Sequence, residues 1–129
     1  MLKKRITYTD YDGVERTEDF YFNLSKSELA EMELMTVGSF TNALQKMVDA
    51  KDISDLARTF KEILLRAYGE KSPDGKRFMK SPDISLAFSQ TPAYDKLFME
   101  LFTDADKMIA FINGIIPTEV SPTGIVPRK

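Results

Sequence analysis

The chain has 129 residues, a length that fits one domain with its own hydrophobic core. Its net charge of −2 argues against a nucleic-acid partner, because such partners require a concentrated basic surface. Cys and His are both absent, which excludes disulfides, thiolate or imidazole catalysis and the usual zinc sites, and no cofactor is expected.

The start of the chain does not have the pattern of a secretory signal. The first five residues, MLKKR, are basic, but ITYTD follows them where a signal would have an apolar core. No stretch of the sequence is long and apolar enough to span a bilayer. We therefore expect a cytosolic protein that does not bind a membrane.

Residues 5–24 predict a β-hairpin, because apolar and polar residues alternate on both sides of an Asp-Gly turn signal. The loop length decides which side chains share a face. An odd loop of three or five residues places Ile6 and Tyr8 on the face that carries Phe20 and Phe22, whereas a two-residue loop does not. We therefore predict an odd loop with Gly13 in the left-handed conformation. Two strands alone are only marginally stable, so the hairpin must pack on helices or pair with another chain.

About six helices are predicted after the hairpin. The first begins with a capping box of Ser25 and Glu28 and ends at Gly38. The second runs from Ser39 or Phe40 to Ala50. The third has the most regular apolar pattern of the chain; it starts at Asp52 or Ile53, and Gly69 is its expected stop.

Three further helices follow a connector at residues 68–82. Ser81-Pro82 and Thr91-Pro92 each supply an N-cap followed by proline at the first helical position. The last helix is expected to start at Thr103, with Asp106 in its first turn, and to stop at Asn113-Gly114. The prolines that follow predict an irregular tail, so we expect a helical domain over residues 1–114 and an extended tail over 115–129. The predicted fold class is α+β, predominantly α-helical.

The connector itself carries four basic and two acidic side chains and contains two glycines and two prolines. Its PDGK segment predicts a tight turn, because the oxygen ligands of a calcium loop and the glycine framework of a phosphate loop are missing. We interpret the connector as an ordered part of one domain.

The carboxylate pairs of the sequence lie at predicted helix starts. Glu28 with Glu31, and Asp104 with Asp106, fall in first turns, where acidic groups interact favourably with the helix dipole. General acid–base chemistry would instead need two carboxylates that converge in an apolar pocket. We therefore predict no catalytic and no metal-binding residue.

The helix that follows Pro92 is apolar on more than one face. A helix with this pattern is either deeply buried or in contact with a partner. We predict partner or self-association contacts at Phe98, Met99 and Phe102, with core packing as the alternative. Arg77 and Phe78 form a second candidate site because arginine and aromatic residues are enriched at interface hot spots, the alternative being a solvated loop.

Four blocks of the sequence resemble tail assembly chaperones from siphophages of Gram-positive hosts. They are YFNLSKSEL at residues 21–29 with EL at 33–34, YGEKSPDGKRF at 68–78, FSQTPAY at 88–94 and FINGIIP at 111–117. The blocks occur in the family's order and span most of the chain.

The resemblance implies a non-enzymatic function in the host cytoplasm. Such chaperones bind the tape measure protein, keep it soluble, help to recruit tail tube subunits and are absent from the finished virion. In many such phages a programmed frameshift adds a second domain. The family offers no catalytic residues to transfer to this sequence.

Three other classes of function compete with this one. The main alternative is a structural virion or head–tail connector protein that forms homo-oligomers through the hairpin edge and the Phe-rich helix. A small enzyme would need a convergent set of polar side chains, and the sequence shows none. A DNA-binding regulator would need a helix with a basic face, which is also missing.

Overall fold

The computed structural model describes residues 1–31 and 52–117. Its strands are β1 (Leu2–Thr9), β2 (Glu15–Phe22), β3 (Tyr68–Lys71) and β4 (Phe78–Met79). Its helices are α1 (Lys26–Glu31), α2 (Ile53–Ala67), α3 (Pro82–Ser89), α4 (Pro92–Phe102) and α5 (Ala105–Ile115). The α+β class is confirmed, with five helices in the described part rather than about six. The predicted helix ending at Ala50, the stop at Gly38 and most of the predicted tail lie outside the described residues.

The first hairpin has the predicted register. β1 and β2 pair antiparallel from Leu2↔Phe22 to Thr9↔Glu15, which leaves a five-residue loop. Even-numbered residues therefore face even-numbered residues, and the predicted odd loop is confirmed. Gly13 has φ of 84°, in the left-handed region that favours glycine.

The connector between α2 and α3 forms a second hairpin, which the sequence patterns do not predict. β3 pairs with β4 through Glu70↔Met79 and Lys71↔Phe78. β3 also pairs with β2, so the four strands form one antiparallel sheet in the order β1-β2-β3-β4. Strands of four and two residues are too short to show a period-two pattern.

The start of α1 has the predicted capping box. The Ser25 backbone N–H donates to Glu28 Oε1 at 2.9 Å, and the Glu28 N–H donates to Ser25 Oγ at 3.2 Å. Leu24 and Leu29, the two residues that can form a hydrophobic staple, are both fully buried.

The end of α2 differs from the prediction. Asp52 caps its start as expected, but Tyr68 is already extended, and Gly69 lies inside β3 rather than ending the helix. A Cβ on Gly69 would lie 2.7 Å from Cε2 of the Phe78 ring and 2.9 Å from the Met79 carbonyl oxygen. This glycine therefore allows two strands to approach each other.

The two proline-containing helix starts are confirmed. Ser81 Oγ accepts the Ile84 N–H at 3.1 Å, and Thr91 Oγ1 accepts the Tyr94 N–H at 3.1 Å. In both cases the cap is followed by proline, whose missing N–H costs nothing at this position.

The predicted bounds of the last helix are wrong at both ends. Asp104 is its cap and accepts two backbone N–H groups, whereas Thr103 ends α4 and donates its hydroxyl to the Met99 carbonyl at 2.6 Å. The helix also continues through Gly114. A Cβ there would lie 3.1 Å from Leu2 Cδ1, so close packing explains this glycine.

The core joins one face of the sheet to the helices. Phe22 is fully buried, and its ring lies 5.6 Å from Tyr68, 5.8 Å from Phe88 and 5.2 Å from Phe111 between centroids. These four residues come from β2, β3, α3 and α5 and belong to one cluster of buried residues. Elements on both sides of the connector thus share a core.

Candidate interaction surfaces

The predicted contact residues of α4 divide into inward and outward side chains. Phe98 and Phe102 are half-buried and stack at 5.3 Å between ring centroids. Phe98 also lies 5.7 Å from the buried Phe60 ring, so it contributes to the core. Met99 is 47% exposed and supplies the accessible part of this group.

The second predicted site, Arg77 and Phe78, lies in the second hairpin. The Arg77 backbone is held by Ser72, whose N–H donates to its carbonyl at 2.9 Å and whose Oγ accepts its N–H at 3.0 Å. The Arg77 side chain is exposed, and Phe78 is half-buried beside Gly69. The two predicted sites therefore stand on different elements, α4 and the β3–β4 hairpin.

A partly buried ion pair joins the second hairpin to the start of α1. Lys80 Nζ donates to Glu28 Oε2 at 2.6 Å and to the Asn23 carbonyl at 2.7 Å. The two charged side chains are 21% and 23% exposed. Lys80 follows β4 directly, so this contact holds the hairpin against the first part of the chain.

The pKa values of both residues are lowered, which favours the charged form of Glu28 and disfavours the charged form of Lys80. Burial raises the pKa of Glu28, but hydrogen bonds from Lys80 and from the Ser25 N–H outweigh it, and the net pKa is lowered. Burial lowers the pKa of Lys80, and the Glu28 carboxylate offsets this only in part. Because both acceptors lie within 2.7 Å of Nζ, the geometry fits an ammonium that keeps its charge at neutral pH.

A groove lies where β2 separates from the second hairpin. The two strands pair only at Tyr21↔Gly69 and Phe22↔Tyr68, and beyond this point they diverge. The groove has a volume of about 760 Å³ and is lined by residues 18–21 and 68–75. Tyr68 is one of the lining residues, and burial raises the pKa of its hydroxyl to about 12.

A family model described as phage tail assembly chaperone matches residues 1–123. The match covers nearly the whole sequence, including all four blocks on which the resemblance depends. The chain belongs to this family of phage tail assembly chaperones. No curated protein and no solved structure matches it.

The chaperone also exposes large apolar side chains that the sequence patterns did not single out. Tyr11, in the loop of the first hairpin, is 83% exposed, and Ile53 and Leu86 are 60% and 57% exposed. An aromatic residue beside a turn signal could have pointed to Tyr11. Ile53 and Leu86 fit apolar helix patterns, so only the structure distinguishes them from core residues.

The carboxylates predicted for helix starts have structural partners, although Glu31 is the sixth residue of α1 and lies outside its first turn, contrary to the prediction. Glu28 pairs with Lys80, Glu31 accepts a hydrogen bond from Arg66 at 3.0 Å, and Asp104 caps α5. Within residues 1–31 and 52–117, no group of three acidic side chains could hold a metal ion. Over the same residues, no helix is long and apolar enough to cross a membrane.

Proposed function

We propose that this chaperone binds the tape measure protein of its phage, keeps it soluble and helps to recruit tail tube subunits, without catalysing a reaction. The family match over residues 1–123 is the observation that carries the proposal, because it assigns the chain to tail assembly. The site of action is the host cytoplasm during assembly, and the mature virion lacks the protein.

The exposed surface of α4 is the proposed client contact. Met99 offers a flexible apolar side chain, and methionine is common on surfaces that adapt to varied partners. Phe98 and Phe102 lie on the same helix and keep part of their rings accessible. An apolar stripe of a helical client segment can pack against these three side chains, so that the apolar surfaces are no longer in contact with water. Arg77 and Phe78 are the second proposed contact.

Co-expression with the tape measure protein of the same phage tests the proposal. The soluble fraction of that protein and its recovery on tagged chaperone are measured. We expect both to rise with the wild-type chaperone present. A tape measure protein that stays insoluble and does not co-purify would contradict the function itself.

Two matched charge substitutions test the contact surface. Met99→Glu and Leu86→Glu each place a carboxylate on an exposed apolar position, the first on α4 and the second on α3. We expect Met99→Glu to reduce recovery of the tape measure protein about tenfold, the effect of roughly 1.4 kcal/mol, and Leu86→Glu to leave it unchanged. Equal recovery with both variants would remove α4 from the proposal and leave the function standing.

Protein analysis of purified particles tests the localisation. We expect the chaperone to be absent from them. Its presence in stoichiometric amount would favour the alternative of a self-associating structural virion or head–tail connector protein.

A further inference from the structure

We propose that the free edge of β2 binds an extended, basic segment of another protein, which adds to the sheet as a strand beside residues 15–19. The contact is separate from α4 and does not depend on the client surface proposed above. It would give the chaperone a second kind of partner contact, made through backbone hydrogen bonds.

Within residues 1–31 and 52–117, the register shows that this edge has no strand partner. The Asn23 N–H donates to the Ala67 carbonyl at 2.8 Å, so the odd-numbered residues of β2 direct their backbone groups toward β3. β3 pairs with β2 only at Tyr21 and Phe22. The N–H and C=O groups of Glu15, Thr17 and Asp19 therefore point away from β1, beyond the last pair with β3, and Asp19 is the one of the three that lines the groove. Such unpaired groups are a template for another strand.

On the opposite edge of the sheet, a helix side chain binds one backbone group of β1. On β1 the odd-numbered residues point away from β2, and the Thr7 carbonyl accepts a hydrogen bond from Lys96 Nζ. Lys96 belongs to α4, which packs beside β1. Lys96 thus occupies one carbonyl of the β1 edge, whereas the outward backbone groups of β2 at residues 15–19 have no partner strand among the described residues.

The charge of the groove favours a basic occupant. Its lining includes four acidic side chains, Glu18, Asp19, Glu70 and Asp74, against one base, Lys71, and of the four acids Asp19 is already paired with Arg5 at 2.9 Å. Lys71 Nζ is placed 4.8 Å above the Tyr21 ring. Within the described residues Glu70 makes no ion pair, so its carboxylate is available to a partner. Lysine or arginine on the added strand would be attracted electrostatically to these acidic side chains.

The same charges disfavour a second copy of the chain as the occupant. If two β2 edges paired antiparallel about Thr17, Asp19 of each copy would lie opposite Glu15 of the other. Pairing about Glu18 would place that carboxylate opposite itself. Like charges directly opposite each other destabilise an antiparallel pair. The edge therefore discriminates against self-pairing while it remains open to a basic strand.

A synthetic peptide of eight alternating Lys and Thr residues, with blocked termini, is the probe. Binding is measured by fluorescence polarisation, and hydrogen exchange of the backbone amides is followed by NMR. We expect saturable binding, with slower exchange at Glu15, Thr17 and Asp19 and no change along β1. Binding without that protection would overturn strand addition.

A peptide of the same sequence that is N-methylated at every residue separates hydrogen bonding from charge. It keeps every lysine but cannot donate a backbone hydrogen bond along either edge. We expect its affinity to fall at least tenfold, whereas a purely electrostatic contact would leave the affinity unchanged and contradict the proposal.

Two proline variants test the location on the protein. Thr17→Pro removes an N–H that points away from β1 and spares the β1–β2 backbone hydrogen bonds, because proline is tolerated where the strand N–H faces outward. It also removes the hydrogen bond between the Thr17 and Thr7 hydroxyls, which the Thr7→Pro variant removes as well. Thr7→Pro is the matched control on the other edge, since Thr7 pairs with Thr17. We expect at least a tenfold loss of peptide affinity for Thr17→Pro and no loss for Thr7→Pro, with thermal unfolding confirming both folds. Equal effects would overturn the assignment, as would a wild-type dimer that Thr17→Pro dissociates.

Discussion

Both hairpins of the sheet are antiparallel, but different contacts stabilise them. The first has eight residue pairs, and its five-residue loop is organised by the Asp10 carboxylate, which accepts the Asp12 and Val14 N–H groups at 2.9 Å. The second has two pairs between β3 and β4. Its loop is closed by side chains of Ser72 and Asp74, and its strands depend on contacts with the rest of the chain.

This difference makes the second hairpin the dependent one. Gly69 permits the close approach of β4, and Lys80 binds α1 through Glu28 and the end of β2 through the Asn23 carbonyl. A hairpin of two pairs has little stability of its own in water. We therefore expect substitutions that remove tertiary contacts to release β3–β4 before they affect β1–β2.

The largest expected effect comes from the residue at which the two hairpins meet. Phe22 pairs with Leu2 in β1 and with Tyr68 in β3, and it is fully buried. Phe22→Ala should lower the free energy of unfolding by about 3–5 kcal/mol, because it removes a ring and leaves a cavity. Urea denaturation measures this loss. The neighbouring Tyr21→Ala is the control on the opposite face, and a loss as large as that of Phe22→Ala would contradict the burial of the Phe22 ring between the sheet and the helices.

The next effect tests the close approach of β3 and β4. Gly69→Ala places a methyl group 2.7 Å from the Phe78 ring and 2.9 Å from the Met79 carbonyl. We expect a loss of about 2–3 kcal/mol from overpacking, again measured by urea denaturation. Adding Phe78→Leu to the Gly69→Ala variant should restore only part of the lost free energy of unfolding. The shorter side chain relieves the contact with the ring, but the Met79 backbone carbonyl cannot move away as a side chain can.

Gly13→Ala is the matched control in the first hairpin. Gly13 has a positive φ, and a Cβ added there would have no atom within 4 Å, so the cost of the substitution is backbone strain of about 1–2 kcal/mol. If Gly69→Ala were as stable as the wild type, β3 and β4 would not approach as closely as the structure shows.

The lengths of the two hairpins also explain which strands could be predicted from the sequence. Eight-residue strands carry their alternation in the sequence, and helix starts carry caps such as Ser25, Ser81 and Thr91. These are local signals, so the first hairpin and the proline-containing helix starts are predictable from the sequence. β3 and β4 are set by the pairing with β2 and by the Gly69–Phe78 contact, and neither is visible in a short window of sequence.

Glycine and acidic residues show why some predicted details are wrong. Gly69 and Gly114 have the sequence context of helix stops, but both are required by close packing, against Phe78 and Leu2. Thr103 precedes Asp104 and has the same capping chemistry, so the sequence does not distinguish the true cap. Of the candidate sites, the apolar composition of α4 can be predicted from the sequence. The direction of each α4 side chain and the open edge of β2 cannot be predicted from it, because both depend on tertiary structure.

A smaller effect is expected from the ion pair that anchors the second hairpin. Lys80→Met leaves the Glu28 carboxylate and the Asn23 carbonyl without this donor, in a site where both charged side chains are about one-fifth exposed. We expect a loss of about 1.5–2 kcal/mol in the free energy of unfolding. Amide exchange should accelerate in β3 and β4 more than in β1. Uniform acceleration across the sheet would show that the hairpins do not respond separately.

The pH dependence of the same pair has a defined sign. The folded-state pKa of Glu28 is lowered, so its contribution to stability is complete above the unfolded value of about 4.3 and is lost as the pH falls through the folded-state pKa. Glu28→Gln removes this titration. The stability difference between the wild type and Glu28→Gln should therefore shrink as the pH is lowered from 7 to 3, and a constant difference would exclude a charged pair.

The smallest effect concerns the loop of the second hairpin. Ser72 Oγ donates to Asp74 Oδ1 at 2.6 Å and accepts the Arg77 N–H at 3.0 Å, so Ser72→Ala removes both bonds and spares the Ser72 N–H bond to the Arg77 carbonyl. We expect a loss of about 1 kcal/mol. Asp10→Ala removes the comparable acceptor from the first loop. Because eight pairs hold the first hairpin, Asp10→Ala should speed amide exchange only near its loop, whereas Ser72→Ala should speed it through Phe78 and Met79. With only two residue pairs, the β3–β4 hairpin has no pair far from its loop that could stay formed when the loop opens. If the faster exchange stayed close to the loop in both variants, contacts with neighbouring elements alone would hold β3 and β4 together.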